Sequence, residues 1–253
     1  MGPRVNIAFL TTEDPIYLPS FYERVLSVYG NQTREVCVVP PLYKGQTPSR
    51  AAWRYYRTFG LDGVRGLVAQ IVQAKWHKCS IASVCSRYGV ACEVVPDVNA
   101  PAFLEHLREI GTDVIVSVSC PQLFKRELID LPVLGCLNIH GAALPLYRGV
   151  MPSFWMLANG EQRAGVSIYF VNEKIDAGEL CGQRIFDIHP DETLDAFIRR
   201  SKDVAAELLV EVLRQLEDER LTRTPLDLSQ GSYYSWPDKA AVRRFHAAGR
   251  RLW

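Results

Sequence analysis

From Val5 to Ile139, short apolar runs alternate with segments of helical periodicity, and nothing else in the 253-residue chain limits its fold so tightly. The runs Val5–Leu10, Glu35–Val39, Cys92–Val95, Asp113–Val118 and Leu134–Ile139 read as strands, the second ended by Pro40 and Pro41. Helical segments are expected at Pro19–Tyr29, Ala102–Ile110 and Gln122–Asp130. Strands that alternate with helices must cross over and pair in parallel. Their unbroken apolar character is that of strands covered on both faces. The expected class is therefore α/β with a mostly parallel sheet and helices on both faces.

The stretch from Tyr43 to Lys78 breaks this rhythm. Val64, Leu67, Val68, Ile71 and Val72 fall at helical spacing, with Trp53, Tyr56 and Phe59 upstream as an aromatic stripe. Such a stripe predicts core packing. Beyond Ile139, Val166–Val171 and Glu179–Ile188 read as two strands flanking a turn at Lys174–Gly178. A long amphipathic helix is expected from Glu192 to about Glu219. The division predicted is one domain over 1–220, with a helical insertion at about 43–78, and a C-terminal extension over 221–253. In that extension Arg243, Arg244, Arg250 and Arg251 are expected on a solvated basic helix.

Composition narrows the function classes. With 29 Lys and Arg against 28 Asp and Glu, the chain lacks the basic excess of a broad phosphate-binding surface, although a local patch stays open. None of the seven cysteines forms a C-x-x-C pair, and most sit among apolar neighbours, as buried small hydrophobes do. Cys79, Cys85 and Cys92 match no zinc spacing, so no metal site is predicted. No apolar run approaches the ~20 residues that span a bilayer, and the first strand is not a secretory leader. A cytoplasmic protein with no membrane partner is expected.

The chemistry-bearing stretch is Leu137–Gly149. Asn138 and His140 are two apart at the end of a central strand, so their side chains leave the same face. Sites in open α/β sheets lie beyond the carboxyl ends of the strands. Asp176, on a tight turn followed by Gly178, supplies a carboxylate that could orient an imidazole and raise its basicity.

Asn138-x-His140, Leu144-Pro145, Tyr147-Arg148-Gly149, Ala158–Glu161, Gly165-Val166-Ser167, Ile175–Gly178 and Gln183 follow in an order and spacing that resemble the 10-formyltetrahydrofolate-dependent formyltransferases. The resemblance is strongest over about Val114–Ile188. It implies a Rossmann-like domain with the folate pocket at the carboxyl edge of the sheet. Asn138, His140 and Asp176 would be the catalytic trio, with 10-formyltetrahydrofolate as formyl donor and no metal. Cys120, Pro121, Gln122, Leu123 and Phe124 would line the pterin pocket with Val171 and Ile175. An amine attacking the formyl carbon builds an oxyanion that Asn138 and protonated His140 could stabilise, while His140 or Asp176 takes the proton.

The acceptor is less defined. Thr11–Tyr17 carries two acids and no glycine where the glycinamide ribonucleotide branch has its phosphate loop. The roughly 34 residues after Glu219 are too few for the C-terminal barrel of the methionyl-tRNA branch. Elimination favours a small-molecule amine on a nucleotide-linked amino sugar, with nucleic acid not the expected partner and a homodimer expected. A methionyl-tRNA formyltransferase-like enzyme, a formyltetrahydrofolate hydrolase and a non-catalytic folate-binding module are the alternatives.

Overall fold

The structure, a computed structural model, describes residues 5–40 and 47–253. In chain order its elements are β1 (Ile7–Thr12), α1 (Leu18–Tyr29), β2 (Thr33–Val39), α2 (Pro48–Trp76), α3 (Ile81–Arg87), β3 (Ala91–Val94) and α4 (Pro101–Glu109). There follow β4 (Val114–Val118), α5 (Arg126–Ile129), β5 (Cys136–His140), β6 (Arg148–Gly149), α6 (Pro152–Ala158), β7 (Arg163–Phe170) and β8 (Leu180–Asp187). The chain closes with α7 (Leu194–Glu217), β9 (Tyr233–Tyr234) and α8 (Lys239–Ala247).

Seven strands form one sheet in the order β3-β2-β1-β4-β5-β7-β8. The pairs from β3 to β5 are parallel, and β7 and β8 add antiparallel to β5 and to each other. This is the α/β class that the alternation predicts. Successive residues of β1 show why its strands read as unbroken apolar runs. Ile7 and Phe9 pack on one face with α1, α3 and α7. Ala8 and Leu10 pack on the other with α4 and α5. Strand order turns back between β1 and β4, so the carboxyl ends of β4 and β5 open onto a crevice.

The structure differs from the sequence reading in four places. The expected helix Gln122–Asp130 shrinks to Arg126–Ile129. The preceding loop is held instead by Gln122, whose amide donates to the Pro96 carbonyl and accepts from Val98 N, and by Lys125 N donating to Asn99 Oδ1. The insertion is one helix, α2, bent at Gly60, where φ is 70° (its first residues, 43–46, lie outside those described). Phe59 is buried, but Trp53, Val68 and Val72 are more than half exposed, so only part of the stripe packs into a core. The helix lies on the periphery and turns mainly Phe59, Gly63 and Ala74 inward.

α3 was not foreseen, because seven residues between the insertion and β3 carry too little periodicity to stand out. The arginines of the tail also do not share one solvated helix. α8 ends at Ala247, and the buried Arg250 beyond it donates to the carbonyls of His189 and Pro190.

Candidate active site

β5 carries Leu137 and Ile139 into the core on one face and leaves Asn138 and His140 on the other. Antiparallel pairing sets Tyr169 of β7 opposite Asn138 and Ser167 opposite His140. The Asn138 amide donates to the Tyr169 hydroxyl at 3.0 Å, and that hydroxyl donates to Asp176 Oδ1 at 2.9 Å. Gly149 N donates to the second carboxylate oxygen at 2.7 Å. Asp176 Oδ1 also faces His140 Nδ1 at 3.6 Å, with both side chains buried. The three residues singled out from sequence are thus joined at Asp176, to Asn138 through one phenol and to His140 directly.

The other imidazole nitrogen fixes the tautomer. His140 Nε2 lies 2.7 Å from the Tyr147 carbonyl, which can only accept, so Nε2 carries its hydrogen in either charge state. Nδ1 is then the nitrogen that faces Asp176. Tyr169 holds Asp176 as a neutral donor, because burial first and the carboxylate second push its phenol pKa far above the ordinary value.

Loop segments that converge here are held in costly conformations. Ser119, Tyr147, Met151 and Asp176 all adopt φ between 48° and 57°. Non-glycine residues in this left-handed region cost on the order of 1 kcal/mol each and persist where surroundings dictate them. Those surroundings are visible in the motif residues. Glu161 accepts from the Tyr147 hydroxyl, and Asn159 donates to it. Ser167 accepts from Leu144 N and donates to the Ala142 carbonyl, while Gln183 donates to the Leu144 carbonyl. The C-terminal segment clamps the loop from outside, since β9 pairs with β6 and Tyr147 N donates to Ser232 Oγ. A Cβ on Gly149 would strike the Tyr234 carbonyl, so only glycine lets these strands approach.

Two cavities meet at Asn138. One, of about 290 Å³, is lined by all five residues from Cys120 to Phe124, by Val171 and Ile175, and by Asn138 and Asp176. The sequence-predicted pterin-pocket residues therefore come together beside two of the trio. The Gln122 side chain that lines it is hydrogen-bonded to the Pro96–Val98 segment. Burial lifts the Cys120 thiol to about 11, so it sits there as a neutral apolar group.

The second cavity, about 500 Å³, contains Asn138 and His140 with Asp14, Tyr17, Ser153 and Lys202. Lys202 Nζ donates to Ser119 Oγ at 3.0 Å, and burial lowers its pKa against the opposing pull of Asp14. Arg199 ties this wall to the insertion, donating to the Ile16 carbonyl and to Gln70 of α2. Sequence reasoning missed Tyr169 and Lys202; the exposed Tyr233 of the tail also lines the smaller cavity. Tyr169 was recoverable only from the β5–β7 register, and Lys202 only from the packing of α7.

A family model described as "Formyl transferase" matches residues 80–213, just over half of the chain, and the chain belongs to that family. Methionyl-tRNA formyltransferase of Syntrophus aciditrophicus is 38% identical over 138 residues, covering 54% of this chain and 44% of that protein. The chain is thus matched to less than half the length of that relative. Among solved structures, a sugar N-formyltransferase from a Shewanella species superposes with a TM-score of 0.59 at 18% identity, covering 92% of this chain and 77% of that one. Glycinamide ribonucleotide transformylase 1 of Symbiobacterium toebii gives 0.60 at 18% identity, covering 88% and 94%. At such identities these structures establish the shared fold.

Proposed function

We propose that the chain transfers a formyl group from 10-formyltetrahydrofolate to a primary amine, with the chemistry in residues 1–220. The observation that carries this reading is the meeting of Asn138, His140 and Asp176 where two cavities share Asn138. The smaller cavity fits the donor: Phe124, Val171 and Ile175 give an apolar wall, and the 120–124 loop offers backbone groups for a heterocycle edge. The larger cavity receives the amine.

The donor supplies the formyl carbon. As the amine nitrogen bonds to that carbon, charge develops on the formyl oxygen. Asn138 spends one amide hydrogen on Tyr169 and keeps the other to donate to that oxygen. Protonated His140 adds positive charge beside it, and Asp176 stabilises the imidazolium. With His140 already protonated, the proton lost by the amine passes to Asp176; with His140 entering neutral, it passes to Nδ1, and the imidazolium so formed supplies that charge. Collapse of the intermediate breaks the bond to N10 of the folate, which leaves with the electron pair and takes a proton.

For the acceptor we favour a nucleotide-linked amino sugar, handled by a cytoplasmic homodimer without nucleic acid or membrane. A cavity of about 500 Å³ suits a small amine, and Lys202 offers a cation to an anionic group on it. The relative from Syntrophus aciditrophicus supports a second reading, in which the amine is the aminoacyl end of a tRNA. The test is absorbance-monitored conversion of 10-formyltetrahydrofolate against nucleotide-linked amino sugars, free amino sugars, methionyl-tRNA and a blank without amine. Turnover confined to a nucleotide-linked amino sugar supports the favoured acceptor, and turnover confined to methionyl-tRNA replaces it with the second. Equal turnover in the blank would make the protein a hydrolase.

A further inference from the structure

A third cavity, about 380 Å³, lies between the first half of α2 and the start of α8 and shares no lining residue with the two cavities at Asn138. Arg50, Arg54 and Arg57 line it from α2, and Lys239 lines it from α8. Spacings of four and three residues put the three guanidinium groups on one helix face. The one acid on the lining, Asp238, is committed to capping α8, its Oδ1 accepting from Ala241 N at 2.7 Å. None of the four cations forms an ion pair among the described residues. In a chain whose net charge is +1, four cations against one carboxylate make a concentrated local surplus.

Aromatic rings accompany it. Trp236 donates to Thr58 Oγ1 and carries the Arg54 guanidinium 4.3 Å above its ring, which holds that cation at the rim. Trp53 lines the cavity with 58% of its surface exposed, braced by Tyr56 at 5.4 Å. An exposed, braced indole beside clustered cations is the equipment for stacking a heterocyclic base and neutralising phosphates.

We infer that this cavity binds a nucleoside polyphosphate, with its phosphates on Arg50, Arg54, Arg57 and Lys239 and its base on Trp53. Single-strand binders use a groove that follows the backbone past successive aromatic platforms. Here the cations surround one recess with one free platform, which fits a single nucleotide. The assignment does not depend on the formyl-transfer reading, because none of these residues borders Asn138, His140 or Asp176.

The experiment is calorimetric titration of the full chain with ATP, inorganic tripolyphosphate and a short single-stranded oligonucleotide. Wild type is compared with Arg50→Glu/Arg57→Glu and with Trp53→Ala, each checked for an unchanged melting temperature. The side chains are exposed, so the fold should tolerate both variants. ATP should bind once per chain and weaken with added salt. Charge reversal should weaken ATP and tripolyphosphate by tenfold or more. Trp53→Ala should weaken ATP by about tenfold and leave tripolyphosphate unchanged, as loss of one stacked base predicts. Absence of saturable binding, or binding indifferent to charge reversal, would overturn the site. Tripolyphosphate binding as tightly as ATP would overturn the nucleotide assignment. An oligonucleotide binding well ahead of ATP, through the same arginines, would make this a nucleic-acid surface instead.

Discussion

Tyr169 links two of the three residues proposed to act on the formyl group, accepting from Asn138 and donating to Asp176. Tyr169→Phe keeps the ring and removes both hydrogen bonds. Turnover should fall by about tenfold, from a less constrained Asn138 amide, and stability by about 1–3 kcal/mol from the buried groups left unpaired. Steady-state kinetics and urea unfolding check the two effects, and unchanged kinetics would reduce Tyr169 to packing. The sign of its pH dependence is also fixed. A phenol whose pKa is raised by folding contributes fully below the unfolded value of about 10 and loses that contribution as pH rises beyond it. The wild type should therefore be more alkali-sensitive than the Phe variant. Asn138, His140 and Asp176 stood out in the sequence as polar residues at the end of an apolar strand and on a glycine turn, and the family resemblance implied their joint role. Tyr169 was not, since a tyrosine in a strand ordinarily signals β-propensity alone.

At the scale of elements, the loop from Gly141 to Met151 depends on the distant pairing of β6 with β9. Gly149 takes φ of 97°, and an added Cβ would also collide with the Tyr234 carbonyl. Gly149→Ala should release β9 and the Asp176 contact together, costing about 1–3 kcal/mol and most of the turnover although the trio is intact. Retained activity with an unchanged melting temperature would show the clamp to be dispensable. The parallel strands were readable because both of their faces are apolar. The β6–β9 pair was not, because two-residue strands carry no periodicity and their partners lie 85 positions apart (Arg148 with Tyr233). The apolar stripe of α2 misled for a related reason: spacing reports a helix but not what covers it. Small residues, Gly63 and Ala74, turn inward there while Val68 and Val72 face out.

Across the whole molecule, α7 joins the sheet to the site. Leu209 is fully buried in the cluster shared by α1, α7 and the strands, while Lys202 from the same helix reaches the larger cavity. Leu209→Ala should destabilise the protein by about 2–5 kcal/mol in urea titration, as cavity-forming substitutions do. A loss below about 1 kcal/mol would mean that α7 packs more loosely than described. The fold class followed from alternation alone, whereas the meeting of loops 120–124 and 171–176 at Asn138 depends on strand order, which local pattern does not encode.

The measurement closest to the central claim is transfer of labelled formyl from 10-formyltetrahydrofolate to the best acceptor of the panel, in wild type, Asn138→Ala and His140→Ala. The rate constant of transfer should fall about 10²–10³-fold in Asn138→Ala, the loss that follows removal of one oxyanion donor, and by orders of magnitude in His140→Ala. Folate affinity should change little in either. Transfer near the wild-type rate in either variant would contradict the role assigned to that residue, and in both it would place the chemistry elsewhere.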